Sequence, residues 1–156
     1  MKKIQTLCLI HQHPRILLGM KKRGFGQGRW NGFGGKVAPN ETILEAAKRE
    51  ILEEASIEIA LSEEDKVGIV QFEFHGKPDT IEVHFFRVAE FKGEPTESEE
   101  MLPKWFNVDE IPIEEMWPDD RYWMPLFLEG KKFKGRFLFG EGDSVLEKSL
   151  EIVEGF

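Results

Sequence analysis

The amino-acid sequence predicts an α+β fold, a sandwich in which mixed β-sheets lie between α-helices. Two observations predict it. Short apolar or alternating runs bounded by Gly, Pro or Asp recur along the 156 residues, as strands do, while two segments carry their apolar residues at helical spacing. The order that results, β-β-α-β-β-β-α-β-β, gives each helix a group of strands on which to bury its apolar stripe.

Residues 3–12 and 15–22 are apolar-rich runs split by His13-Pro14, which predicts two strands joined by a tight turn. Residues 19–35 hold seven of the fifteen glycines: Gly19, Gly24, Gly26, Gly28, Gly32, Gly34 and Gly35. That density marks loop backbone with unusual dihedrals, or backbone that approaches a ligand closely. A helix is expected over 42–55. Thr42 and Glu45 form a capping-box pattern, and Ile43, Ala47 and Ile51 recur every four residues beside Leu44 and Ala55. Residues 67–75 and 80–91 read as paired strands about a Gly76-Lys77-Pro78-Asp79 turn, and 102–108 as another strand. Asp109 to Met116 is a short helical candidate. Pro118-Asp119-Asp120 opens a second helix over about 120–129, with Asp119 or Asp120 as N-cap and Pro125 limiting or bending it. Residues 132–139 and 144–153 read as a closing hairpin around Gly140 to Asp143.

The length suits one domain over residues 1–156, and no repeat, low-complexity tract or linker divides it. A composition of 40% hydrophobic and 32% charged residues excludes the disordered and membrane-spanning classes. No apolar run approaches the roughly 20 residues of a membrane helix. Met1-Lys2-Lys3-Ile4 opens as a signal peptide does, but Gln5, Thr6, His11 and Gln12 interrupt the apolar stretch, so a first strand is expected instead. The single cysteine, Cys8, rules out an intrachain disulfide and is expected to be a small buried hydrophobe. His11, His13, His75 and His84 lack metal-ligand spacing. A net charge of −8 argues against a nucleic-acid polymer as the ligand, because such binders show a broad basic face. A small polyanion fits, provided that metal ions bridge a dense carboxylate cluster to its phosphates.

Glu50, Glu53 and Glu54 supply such a cluster. Spacings of three and four put them on one helix face beside the apolar stripe, where they repel one another and a divalent cation with oxygen ligands would relieve them. Taken by itself, the same run also fits a solvated acidic face.

Residues 35–57 extend the pattern. Gly35, Glu41, Arg49, Glu50, Ile51, Glu53, Glu54 and Ile57 stand at the spacing of the Nudix box, and the chain resembles the Nudix hydrolase family. One position departs: Ser56 stands where the box has glycine. A glycine just past a helix end normally takes positive φ; serine there costs about 1 kcal/mol, or the helix ends differently.

The resemblance implies the Nudix fold and a Mg²⁺ cofactor, with Mn²⁺ as a substitute. It makes Glu50, Glu53, Glu54 and the Gly34 carbonyl metal ligands, with Glu100 as a further carboxylate, and gives Arg49 the role of orienting a box glutamate. Outside the box, the stretches around Lys21–Lys36, Val70–Phe74 and Trp117–Trp123 resemble the branch of the family that cleaves oxidised purine nucleoside triphosphates to monophosphate and pyrophosphate.

That likeness implies a base pocket. Asn31, Asp119 and Asp120 would read the purine edges, and Trp117 would stack on the ring. Phe25, Phe72, Phe74, Met101 and Trp123 would form the walls, Thr6 the floor, and Lys21 would face the sugar or phosphates. Phe33, Gly34, Gly35, Lys36 and Pro118 complete the expected binding set. Two adjacent carboxylates in an apolar pocket cannot both stay charged cheaply, so one of Asp119 and Asp120 is expected to hold a proton. The implied protein is a monomer acting on free nucleotides in the cytoplasm, or in mitochondrial or nuclear pools, with neither a nucleic-acid polymer nor a membrane as partner. The alternatives are a Nudix pyrophosphatase for another nucleoside diphosphate derivative and a silent nucleotide-sensing Nudix domain.

Overall fold

β1 (Lys2–Gln12) and β2 (Arg15–Lys21) form an antiparallel hairpin that turns at His13-Pro14, as the sequence predicts. The structure is a computed structural model describing residues 1–156. The strands β3 (Trp30–Asn31), β4 (Lys66–Phe74), β5 (Thr80–Val88), β6 (Met101–Asn107), β7 (Lys132–Phe139) and β8 (Val145–Val153) follow, with α1 (Ile43–Ala55) after β3 and α2 (Asp120–Leu128) after β6. The expected mixed sheet is continuous, in the order β3-β2-β1-β5-β4-β7-β8, with β6 on the other edge of β2. The β1–β5 and β4–β7 pairs are parallel and the rest antiparallel.

Strand alternation divides the core between the two faces. Leu9 of β1, Ile16 and Leu18 of β2, Phe85 of β5, and Phe133 and Phe137 of β7 pack with Trp123, Met124 and Phe127 of α2. Cys8, Ile10, Leu17 and Phe86, each one residue out of step, pack with Ala47, Ile51 and Ala55 of α1. The period of two along a strand thus places the helices on opposite faces.

Both ends of α1 follow local rules. Thr42 Oγ1 accepts from the Glu45 N–H at 3.1 Å, and the Glu45 carboxylate accepts from the Thr42 N–H at 2.9 Å, so the capping box forms. At the other end Ser56 takes the left-handed conformation with φ +61°, and its N–H donates to the Leu52 carbonyl. The helix therefore ends as a glycine-capped one would, with serine bearing the steric cost.

Asp119 precedes α2 but makes no side-chain cap, so the expected N-cap role is not filled. Asp109 to Met116 resolves into two 3₁₀ turns, Val108–Glu110 and Ile113–Glu115. The two-residue β3 and the 3₁₀ turns at Glu63–Asp65 and Glu141–Asp143 are shorter than any readable period. No helix is long and apolar enough to cross a membrane.

Candidate active site

α1 grades its three glutamates by burial. Glu54 follows Ala47 and Ile51 on the buried stripe and is only 4% exposed. The Glu50 side chain is 17% exposed and that of Glu53 58%. The segment after β3 brings backbone to Glu54. Phe33 and Gly35 pair with Cys8 and Thr6 on the free edge of β1, and the intervening Gly34 N–H donates to Glu54 Oε1 at 2.9 Å. Two glycines make this close approach possible: a Cβ on Gly34 would lie 1.8 Å from the Thr6 carbonyl oxygen, and one on Gly35 would lie 2.7 Å from the Glu50 carboxyl carbon. The Gly34 carbonyl accepts no hydrogen bond, whereas those of Phe33 and Gly35 are taken by Cys8 and Thr6. Burial, then the neighbouring Glu50 charge, push the Glu54 carboxyl up to about 8, against the Gly34 N–H and Lys21.

Arg49 gathers the outer carboxylates. It reaches Glu41 at 2.6 Å, Glu50 at 2.8 Å and Glu53 at 3.3 Å, so no three acidic side chains converge as a ready-made cation cage.

A cleft of about 310 Å³ runs from Glu54 to the start of α2. Its walls come from the α2 face of the sheet: Leu7, Phe72, Phe74, Ile81, Val83, Phe85 and Phe139. Phe72 stacks between Phe137 and Phe139 at 5.8 Å from each. Trp117 closes one side, with Phe25 at 5.0 Å and the Arg29 guanidinium 4.1 Å from its ring. Asp119 and Asp120 lie side by side and almost wholly buried, and Trp123 Nε1 donates to Asp119 Oδ2 at 2.8 Å. Burial holds both acids above the usual carboxylate range, and the Asp119 charge lifts Asp120 further. Asp120 Oδ2 and Thr6 Oγ1 line this cleft buried and without a hydrogen-bond partner. Groups of that kind in a folded protein call for a partner.

Residues 1–127 match the NUDIX domain model. The chain belongs to the Nudix family. It is 53% identical over 154 residues to the mouse oxidized purine nucleoside triphosphate hydrolase, covering 99% of this chain and 97% of that one. The zebrafish (Danio rerio) protein of the same description is 50% identical, with 97% and 96% covered. Among solved structures, the mutator MutT protein of Bacillus halodurans superposes with a TM-score of 0.83 at 28% identity, covering 96% of this chain and 97% of that one.

Around this Nudix cleft, the structure brings together most of the residues singled out in the sequence. Thr6, Lys21, Phe25, Asn31, Gly34, Gly35, Lys36, Glu54, Phe72, Phe74, Met101, Trp117, Asp119, Asp120 and Trp123 all line it. Two expectations are corrected. Phe33 is fully buried in the core under α1 and against Gly19, because it pairs with Cys8 of β1, and both side chains pack into the α1-side cluster with Ala47, Ile51 and Ala55. Pro118 does not line the cleft, although Trp117 and Asp119 on either side do.

Glu50 and Glu53 stand at the rim, tied to Arg49. Glu100 is half exposed and faces Lys21 and Arg23 at 3.9 Å. It is anchored toward Glu54 by Ser98, whose Oγ donates to the Glu54 carbonyl and accepts from the Glu100 N–H. Sequence reasoning missed Leu7, Arg29, Ile81, Val83, Phe85 and Phe139. The alternation of 81, 83 and 85 marks them as one face, but nothing local says that this face meets the cleft.

Proposed function

We propose that this protein hydrolyses oxidised purine nucleoside triphosphates to monophosphate and pyrophosphate, removing damaged precursors from the nucleotide pool. The observation that carries the reading is one continuous cleft with two chemically distinct ends: buried Glu54 at one, a buried aspartate pair within aromatic walls at the other. The activity of the mouse and zebrafish relatives, hydrolysis of oxidized purine nucleoside triphosphates, points the same way. Residues 128–156 belong to the same working domain on this reading, since Phe133, Phe137 and Phe139 pack into the core and cleft wall.

At the base end, the Asn31 side-chain oxygen accepts from the Gly32 N–H at 2.8 Å, which leaves its NH₂ to donate to a purine acceptor. Asp120, protonated, donates to a second acceptor on the base, while Asp119 accepts from the Trp123 N–H and from a purine N–H. Trp117 provides the stacking surface and Thr6 Oγ1 a further polar contact on the floor. An oxidised purine differs from its parent by where it presents an N–H or a carbonyl. Buried groups left unpaired by the wrong pattern penalise it strongly.

At the other end the donor set is all oxygen, from Glu50, Glu53, Glu54, the Gly34 carbonyl and Glu100, which suits Mg²⁺. The fit is supported by Glu54, whose ionised form is penalised by burial and by Glu50, a cost a cation would relieve. When bound, Mg²⁺ neutralises phosphate oxygens and lowers the pKa of an attacking water. Arg49 holds Glu50 and Glu53 at the rim of the cleft, where they would serve as ligands to the ion. Lys21 exchanges its Glu100 partner for a phosphate oxygen. As a monomer acting on free nucleotides, the protein needs no other partner.

Steady-state hydrolysis of 8-oxo-dGTP against dGTP with Mg²⁺ tests the proposal. Preference for the oxidised base with pyrophosphate release is expected. Metal-dependent turnover without that preference would refute the base assignment, and no turnover of any nucleotide would refute the enzymatic one.

A further inference from the structure

We propose that Arg29 and Asp143 form a clasp that sets the position of Trp117, making both of them positioning residues for base selectivity. This rests on the reading of the cleft as a purine site. The two are 114 residues apart in sequence, yet Arg29 Nη2 donates to Asp143 Oδ2 at 3.1 Å. The guanidinium carbon stands 4.1 Å from the centre of the Trp117 ring. Its Nη1 is buried and has no hydrogen-bond partner, and the guanidinium as a whole lies over the indole ring.

Each half of the clasp is held from behind. Arg29 stands two residues before Asn31, and its carbonyl accepts from the Lys21 N–H at 3.0 Å, which ties the guanidinium to the strand edge that presents Asn31. Asp143 sits in the turn between β7 and β8 at φ +60°, directly after Gly142 at φ +68°. Aspartate tolerates that left-handed conformation better than most residues, and the arginine pair is the contact its carboxylate makes. Trp117 has no regular element of its own, since it lies between a 3₁₀ turn and α2. Its ring is fixed by side chains: Arg29 over one region, Phe25 at 5.0 Å and Phe139 at 6.2 Å. Phe25 is 73% exposed and gives weak restraint, so the guanidinium and Phe139 carry the register of the stacking surface against the aspartate pair. The same positive charge favours the ionised forms of Asp119 and Asp120, a second route by which Arg29 bears on the base end.

The test compares wild type with R29Q, R29K, D143N and R29Q/D143N, measuring kcat and KM for 8-oxo-dGTP and dGTP, and Tm. The expected result for R29Q is a rise in KM for 8-oxo-dGTP of about tenfold, the size of a partly desolvated cation–π contact. Its kcat and Tm should stay close to wild type and its selectivity over dGTP should fall. D143N should do the same to a smaller degree, R29K should recover part of the loss, and the double variant should be no worse than R29Q. Unchanged KM and selectivity in R29Q would overturn the clasp, as would kcat and Tm falling together for both substrates, which is the signature of fold damage. A wild type that does not distinguish the two nucleotides would overturn the purine reading itself, and the clasp with it.

Discussion

Glutamine at position 54 should make the metal-free protein more stable at alkaline pH while abolishing hydrolysis. Glu54 is 4% exposed beside Glu50, and burial with that charge raises its carboxyl from 4.5 to about 8. The folded state therefore binds this proton more tightly than the unfolded chain. The associated stability is fully present below pH 4.5 and is lost as pH rises to and through 8. At pH 9 the ionised side chain costs the fold at most ~5 kcal/mol, and ~2–5 kcal/mol once water entry relaxes it. Glutamine keeps the shape, stays neutral, and can still accept from the Gly34 N–H through its amide oxygen. E54Q should match wild type near pH 4.5 and exceed it by ~2–5 kcal/mol at pH 9, a Tm gain on the order of 5–15 °C for a chain of this size. Urea denaturation in EDTA at several pH values, followed by tryptophan emission, measures the difference. Added Mg²⁺ should stabilise wild type by mass action and leave E54Q unmoved. A variant less stable than wild type at pH 9, or a difference that does not vary with pH, would refute the reasoning.

The aspartate pair should give base recognition its own pH dependence. Both acids are raised by burial, so the pair gives up its last proton at higher pH than ordinary carboxylates, and the profile of kcat/KM for an oxidised purine should change shape in D119N and D120N. Unchanged profiles in both would remove the proton from the recognition scheme. S56G should relieve the left-handed serine at the end of α1 and add about 1 kcal/mol, a Tm rise of roughly 2–4 °C, with activity as in wild type. Differential scanning calorimetry reads this directly, and no gain would mean that the turn carries no strain. R49Q should free Glu41, Glu50 and Glu53 together and raise the Mg²⁺ concentration needed for half-maximal activity by ~10–100-fold. An unchanged metal requirement would leave Arg49 a surface ion-pair residue.

The sequence by itself determined the elements and most of the chemistry. The capping box at Thr42, the four-residue spacing of Ile43, Ala47 and Ile51, and the turn at His13-Pro14 are contacts between near neighbours, and all three stand as read. The run from Gly35 to Ile57 is legible for the same reason: one helix turn suffices to set Glu50, Glu53 and Glu54 on one side of α1, although their carboxylates do not converge. The place of Ser56 in that run marks it as the residue that either takes a costly positive φ or ends the helix differently, and the structure shows the first.

Only the tertiary structure decided which aromatics meet the cleft and which carboxylates hold protons. Phe33 and Phe139 have equal hydrophobicity, yet the pairing of 33–36 with β1 turns the first into the core under α1, and the register of β7 on β4 turns the second toward Trp117. Asp119 looked like a helix cap because capping is a local rule, but a buried Trp123 N–H claims its carboxylate instead. Glu54 differs from Glu53 by one position and carries the same carboxyl group. It is separated from it by the Gly34 backbone laid over one side of α1 and by open solvent on the other. Periodicity records what happens within a turn or a strand. Burial, proton affinity and the Arg29–Asp143 pair depend on segments that approach only after the sheet has assembled, and no local pattern encodes that approach.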